Sequence, residues 1–467
     1  MKLIYIPFKI SRVLPFSILL LIALMLTSCE DFVDIEPPNN QLIGTEVFED
    51  VTTVDAAFAH IYSQLRENAF TDGGLSGLSY RLGHYTDELT LYSAILPEVQ
   101  NYSNNNVLAS DSSIKKWWDT SYNLIYATNR ILEGVENSTE ISPDDKSRLL
   151  GEAYFLRGFI HFYLTNLFGP IPYIDSTDYR INSEVSRLNE GVVSQKIIED
   201  LLNAKDLLPE ADHSFANLRP NYWVASAMLS RVYLYTENWQ LALTEASSVI
   251  TDGSYTLNTE LSEVFLKSST ETLWQLDVGM AGNNTREAGT FIFVTTPPPN
   301  SAISNYLIND FESGDARFNN WVGSVTDGVE TWYYPFKYKL NIPTGTTEEY
   351  SILLRLTELY LIAAEAHAQL GNLPEALDFL NAIRNRASLA PITSLNQNDV
   401  LNAILQERRI EFFSEQGHRF FDLKRTGRAS SVLPPIKPNW QSTDILFPIP
   451  ESELILNPNL LPQNEGY

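Results

Sequence analysis

The densest set of chemically competent side chains lies toward the C-terminus, where Glu407-Arg408-Arg409-Ile410-Glu411 is followed by His418-Arg419-Phe420-Phe421-Asp422. A carboxylate and an imidazole in one block can act as base and acid, Glu411 or Asp422 in the first role and His418 in the second. The same residues suit pairing better. Charges of both signs sit side by side, and arginine forks match carboxylates two bonds at a time. The block therefore reads as an ion-pair network fixing a helix to the segment after it. Acidic doublets such as Asp87-Glu88 and Asp144-Asp145 recur, but no arrangement singles out the acid and nucleophile of a glycoside hydrolase. Asp144-Asp145 follows Ser142-Pro143 and reads as a helix start.

Metal and cofactor chemistry finds no pattern. The chain has six histidines and one cysteine, and no HExxH spacing. There is no G-x-S-x-G and no phosphate-cradling glycine loop. Carboxylates abound, yet no spacing specifies a divalent ion. The residues nominate no cofactor, no metal and no catalytic set.

Binding chemistry has better material. A sugar offers an apolar C–H face to an aromatic ring and a rim of hydroxyls to amides, carboxylates and guanidinium groups. Asp72, Arg81, Tyr92, Tyr102, Asn104 and Asn105 supply this mixture within Thr71–Ser113, and Phe293, Trp321, Trp332 and Tyr333 supply it within Ser254–Gly345. These ten are the candidate ligand-contact residues. Any one of the rings can equally be local core, and Asn104-Asn105-Asn106 can be a turn. Trp118 reads as core, and Trp117 is left open. Long non-helical segments that combine rings with polar groups are where binding residues concentrate on a rigid scaffold.

The elements that must hold those segments are helical. Asp55–Arg66, Trp117–Leu132 and Arg148–Leu167 repeat apolar residues at three-and-four spacing, and Phe168-Gly169-Pro170 stops the third. Asn221–Ile250 reads as a helical hairpin turning at Glu237-Asn238. Leu353–Ala387 reads as another, with Gly371 ending one helix and Pro374 opening the next. Small residues at regular positions allow close approach, and such hairpins must stack to bury their apolar faces. Thr272–Val278 and Thr290–Thr295 are the strand-like pieces. The expected class is mainly α, a tetratricopeptide-type hairpin scaffold with long irregular regions and minor β.

At the N-terminus, Lys2, Lys9 and Arg12 precede the apolar stretch Val13–Leu26, which ends in Leu26-Thr27-Ser28-Cys29. This is a signal-peptide pattern whose cleavage leaves Cys29, the one thiol of the chain, as a lipidated N-terminus. Residues 1–28 are then the signal peptide and 29–45 an acidic tether. Residues 46–467 are a single domain, divided into 46–253, an irregular ligand-face region 254–345, and 346–467. Lipoprotein acylation gives a stable anchor at a membrane rather than a span. With 32 Lys plus Arg against 58 Asp plus Glu and a net charge of −26, the basic footprint of a nucleic-acid binder is missing.

Several ordered motifs resemble the SusD/RagB family. They are Gly151–Arg157 leading to Leu167-Phe168-Gly169-Pro170-Ile171-Pro172, and Arg219-Pro220 with Ala227–Tyr235 and Trp239. Then come Leu353–Ala387, Ile404–Phe413, and Gly417-His418-Arg419-Phe420-Phe421-Asp422-Leu423-Lys424-Arg425. The chain closes with Leu446-Phe447-Pro448-Ile449-Pro450 and Asn457-Pro458-Asn459-Leu460. With Cys29 and the tether, the likeness runs over nearly the whole chain. It implies four tetratricopeptide-like helix pairs carrying an irregular ligand face, and a non-enzymatic lipoprotein anchored in the outer membrane at the cell surface. Such a protein captures an oligosaccharide or polysaccharide and hands it to a SusC-like TonB-dependent transporter. Some relatives take peptides. The resemblance assigns the loop regions and no individual contact. A surface glycoside hydrolase and a peptide-tail adaptor are the competing readings. The first needs a carboxylate pair, and the second needs a concave helical face.

Overall fold

Helices begin where the sequence supplies a capping oxygen. Asp50 accepts from the Thr52 N–H (2.6 Å) to start α1 (Val51–Glu67). Asp111 accepts from Ser113 (2.9 Å) and Ile114 (3.1 Å) to start the long helix Ser112–Asn137. Ser142 accepts from Asp145 (3.2 Å) to start Pro143–Phe168, which Gly169 ends at φ 73°. Each such cap satisfies amide donors that have no partner inside the helix. The computed structural model describes residue 2 and residues 47–467 except His213, so Cys29, the signal segment and the tether lie outside the described residues. Residues 48–467 form one compact unit.

In chain order, α1 is followed by α2 (Leu78–Tyr85), β1 (Leu89–Leu91), α3 (Pro97–Ser103), α4 (Ser112–Asn137) and α5 (Pro143–Phe168). After the short α6 (Tyr179–Asn182) come α7 (Glu190–Leu207), α8 (Tyr222–Tyr235) and α9 (Trp239–Asp252). The next region holds β2 (Thr272–Leu276), α10 (Arg286–Phe291), β3 (Ser301–Ile303), α11 (Asn305–Ile308), α12 (Ala316–Trp321), β4 (Val322–Thr326) and β5 (Thr331–Pro335). The C-terminal part is β6 (Ser351–Arg355), α13 (Leu356–Gln369), α14 (Leu373–Arg386), α15 (Gln397–Glu411), α16 (His418–Arg425), α17 (Ala429–Val432) and α18 (Glu451–Leu456). The protein is mainly helical.

The long helices form a row. α1 packs on α4, α4 on α5, α5 on α7, α7 on α8, α8 on α9, α9 on α13, and α13 on both α14 and α15. Small residues make this possible: Gly158 of α5 leaves so little room that an added Cβ would lie 3.2 Å from Leu201 of α7. Both expected hairpins are present as α8–α9 and α13–α14, turning at Glu237-Asn238 and at Gly371. Gly371 has φ 83°, a left-handed value at little cost for glycine.

The charged C-terminal block ties this row to the irregular region. Glu411, fully buried at the end of α15, accepts from Arg317 of α12 (2.9 Å), Arg355 of β6 (2.7 Å) and Arg386 of α14 (2.5 Å). Burial alone would raise its pKa, but the three guanidinium groups hold the carboxyl far below the usual range. Asp422 lies between Arg408 and Arg425, both at 2.8 Å. His418 stacks on Phe412 with centroids 4.6 Å apart, and burial lowers it to about 4, so it stays neutral. The carboxylates are engaged in pairs, as the sequence pattern anticipates.

Two local expectations are corrected. Thr290–Thr295 is not a strand: Thr285 accepts from the Ala288 N–H and opens α10, which runs to Phe291. Nor is Thr71–Ser113 wholly irregular, since it contains α2, β1 and α3. All eight residues of α2 are buried, and with only about two turns it is too short for helical periodicity to stand out in sequence.

Candidate functional site

The two irregular segments, far apart in sequence, are knitted into one face. β1 pairs antiparallel with β3 in the register Leu89–Ile303, Thr90–Ala302 and Leu91–Ser301. The Tyr92 N–H continues the ladder to the Asn300 carbonyl (2.8 Å), and the Ser304 N–H donates to the Glu88 carbonyl (2.8 Å). Ser301 Oγ meets Tyr80 Oη at 2.6 Å and His84 Nε2 at 2.7 Å, fixing β3 on α2. Thr290 donates to the Gly73 carbonyl (3.0 Å). These bonds convert two stretches without regular periodicity into a rigid surface.

A cleft of about 250 Å³ opens in this face. Its wall is formed by β1, the end of α3, the start of α11, and the turn Ile436–Asn439. Thr90 and Tyr306 are exposed, as is Asn104, and Tyr306 is a free-standing ring at 52% exposure. Tyr92, one residue past the end of β1, is 42% exposed. The Asn105 amide donates to the Tyr85 carbonyl (3.0 Å), while its own carbonyl oxygen is buried without a hydrogen-bond partner. A buried amide oxygen left without a donor is costly unless a ligand or water completes it. Asn439 donates to the Asn104 carbonyl (3.1 Å) and closes the far side.

The floor is charged and internally matched. Burial pushes Asp87 up, but Arg419 (2.8 Å) and Arg409 (2.8 Å) outweigh it and hold the carboxyl below its usual range. Glu88 has no such clamp, and burial, then the Asp87 charge, pushes it up to about 7. Burial lowers Lys437 to about 8; its ammonium donates to the carbonyls of His84 (2.6 Å) and Ser103 (3.0 Å). The cleft thus presents amides, hydroxyls and ring faces, with its charges turned inward.

Of the residues expected to touch ligand, Asn104 and Asn105 line this cleft, and Tyr92 is exposed but is not among its lining residues. Most of the others are not available to a ligand. Trp321 is fully buried and its indole N–H donates to the Leu261 carbonyl (2.9 Å). Tyr102 is equally buried, bonded to Asp111 (3.2 Å) and packed edge-on against Trp117. Arg81 lies beneath the surface over the Tyr102 ring, at 4.9 Å, and pairs with Glu98. Phe293 and Trp332 pack with Ala302 in a small core of their own, and Tyr333 is half-buried against Phe318. Asp72 is a turn-former: it accepts from the Gly74 N–H (2.8 Å) and Ser76 Oγ (2.6 Å) and pairs with Arg286. Trp117 and Trp118 are both core. The physical reason is shared. Pairing the two segments creates its own hydrophobic interior, and large rings fill it first. Sequence reasoning passed over Thr90, Tyr306 and Asn439, which only the β1–β3 pairing and the C-terminal turn bring to the cleft.

A wider cleft of about 450 Å³ lies between the end of α1, residues 277–286 and residues 340–351. Its arginines are already paired, Arg66 with Asp277 and Glu67, Arg286 with Asp72. No aromatic ring lines it. Among the described residues, no helix is long and apolar enough to cross a membrane, and no group of three or more His, Cys, Asp or Glu is placed to hold a metal ion.

Comparison with known proteins agrees with this architecture. Residues 31–234 match the family described as starch-binding, associating with the outer membrane, and residues 283–438 match the SusD family. A SusD-like protein of Formosa agariphila is 24% identical, covering 94% of this chain and 97% of its own length. One from Bacteroides ovatus is 25% identical over 84% of this chain and 79% of its own. Among solved structures, a SusD superfamily protein of Bacteroides vulgatus superposes with a TM-score of 0.78 at 23% identity, covering 90% of this chain and 99% of that one. A laminarin-binding SusD-like protein superposes with a TM-score of 0.73 at 22% identity, covering 89% and 99%. The two family matches together span well over half of the chain, and the whole-length relatives and the fold agree with them: the chain belongs to the SusD/RagB family.

Proposed function

We propose that this protein is a glycan-binding lipoprotein of the outer-membrane surface, which captures an oligosaccharide or polysaccharide without turnover and delivers it to a SusC-like TonB-dependent transporter. Cys29 carries the lipid, and the membrane is reached through that anchor alone. The cleft beside β1 is the ligand site. A sugar ring rests on Tyr306, and its hydroxyls meet Thr90 and Asn104. The observation that carries this reading is a cleft whose exposed side chains are a ring, Tyr306, an amide, Asn104, and a hydroxyl, Thr90. Support for a glycan comes from the starch-binding description of one matching family and the laminarin-binding description of a protein sharing the fold.

The test is retention of the purified mature chain on a panel of immobilised glycans and peptides. One glycan class is expected to retain it. Tyr306→Ala should weaken that binding about tenfold, the loss of roughly 1.4 kcal/mol of stacking, and wild type should release no reducing ends. Retention by peptides alone, or unchanged affinity in Tyr306→Ala, contradicts the proposal.

A further inference from the structure

A second concave surface shares no lining residue with the Tyr306 cleft. It is a groove of about 710 Å³ running along α4. Trp118, Tyr122 and Tyr126 follow one another at four-residue steps, which places their rings on one helix face about 6 Å apart along the axis. Trp118 is the floor, packed edge-on against Phe168 (centroids 5.2 Å apart) and tilted against Tyr122 (4.8 Å). Tyr122 is half-buried, with its hydroxyl donating to the Pro172 carbonyl (2.9 Å). Tyr126 stands 45% exposed.

The opposite wall joins residues 182–185 to residues 453–460. Asn457 donates to the Val185 carbonyl and Asn459 to the Glu184 carbonyl, both at 2.9 Å. The wall is therefore fixed rather than a loose rim. On the α4 side, Lys115 and Asp119 pair with each other (2.5 Å). The exposed Asn123 amide and the Tyr126 hydroxyl have no hydrogen-bond partner among the described residues.

We propose that this groove is a second glycan-binding site, taking a neutral oligosaccharide segment with one ring stacked on Tyr126 and its hydroxyls bonded to Asn123. The inference rests on the glycan-binding reading of the chain. Ring faces interleaved with an uncommitted amide are the chemistry that recognises a sugar's two surfaces. The groove's size falls within the usual range for small-ligand sites of about 300–1,000 Å³, whereas the Tyr306 cleft falls just below it. A cleft that small grips a short stretch of polymer. A second site on the same rigid chain makes the next contact intramolecular, which can raise apparent affinity for a polymer by about 10²–10⁴ without tightening either site.

The experiment titrates laminarin, starch and the other glycans of the retention panel, each as polysaccharide and as trisaccharide, into wild type, Tyr306→Ala and an Asn123→Ala/Tyr126→Ala double variant. Both altered residues of the double variant are exposed, so its melting temperature should match wild type. Wild type should bind two trisaccharides per chain and the double variant one, with polymer affinity at least about tenfold weaker. Tyr306→Ala should keep the groove's trisaccharide. One trisaccharide per wild-type chain, with polymer affinity unchanged in the double variant, overturns the groove and leaves the Tyr306 cleft standing. No glycan bound by wild type overturns both. Unchanged glycan binding with loss of a co-purifying protein assigns the groove to a protein partner, and that too overturns it.

Discussion

Tyr306 and Trp321 lie in the same ring-rich stretch and put an aromatic side chain to opposite uses. Trp321→Ala should cost about 3–5 kcal/mol in denaturant unfolding, because it empties a fully buried site beside Phe265 and removes the bond to Leu261. Tyr306→Ala should change stability by less than about 0.5 kcal/mol, since it touches an exposed ring. Sequence alone marks the stretch as rich in rings but not which ring faces water. That depends on β3 pairing with a strand more than two hundred residues earlier. Asn104 and Asn105 were legible as polar groups on a turn; the unpartnered Asn105 oxygen was not. Glu287 gives a residue-scale pH effect. Burial pushes it up to about 7, opposed by the Ser351 hydroxyl at 2.5 Å. Its protonated form is favoured in the folded chain. The stability it contributes is complete below the ordinary value of 4.5 and is lost as pH rises through about 7. Glu287→Gln cannot ionise, so the melting temperature of wild type relative to that variant should fall between about pH 5 and pH 8. An offset that does not change with pH contradicts the assignment.

At the scale of elements, the hairpins were legible because their signals are local. Gly371 and Pro374 sit within a few residues of the turn they make, and Ser142 caps the helix it precedes. α2 was illegible because its eight residues are too few for helical periodicity to stand out within a stretch rich in glycine and serine. The Glu407–Asp422 block was legible as pairing, but many of its partners come from other elements. Arg317, Arg355 and Arg386 converge on Glu411 from α12, β6 and α14, and so fasten the ligand-face region to the helical row. Glu411→Gln should therefore destabilise by about 1.5–3 kcal/mol, the loss of charge-assisted hydrogen bonds, because each guanidinium keeps another carboxylate: Asp315 and Glu407 for Arg317, Glu271 and Glu415 for Arg355, Glu271 for Arg386. Chemical denaturation checks this, and a loss below about 1 kcal/mol would mean the network carries little of the fold.

For the molecule as a whole, a row of stacked helices holds one composite face rigid, and that face carries a cleft suited to a sugar. The acidic surface sets this chain apart from nucleic-acid binders, and a lipid on Cys29 would keep the cleft at the membrane where a transporter can receive the ligand. Cys29→Ala should move the protein from the membrane fraction to the soluble fraction with an unchanged melting temperature; retention at the membrane contradicts the anchor. The most direct measurement is the structure of the mature chain bound to the glycan that retains it. A sugar ring should lie against Tyr306, with its hydroxyls within hydrogen-bond distance of Thr90 and Asn104. A glycan seated only in the cleft beside Arg66 and Arg286, with Tyr306 untouched, would contradict the account.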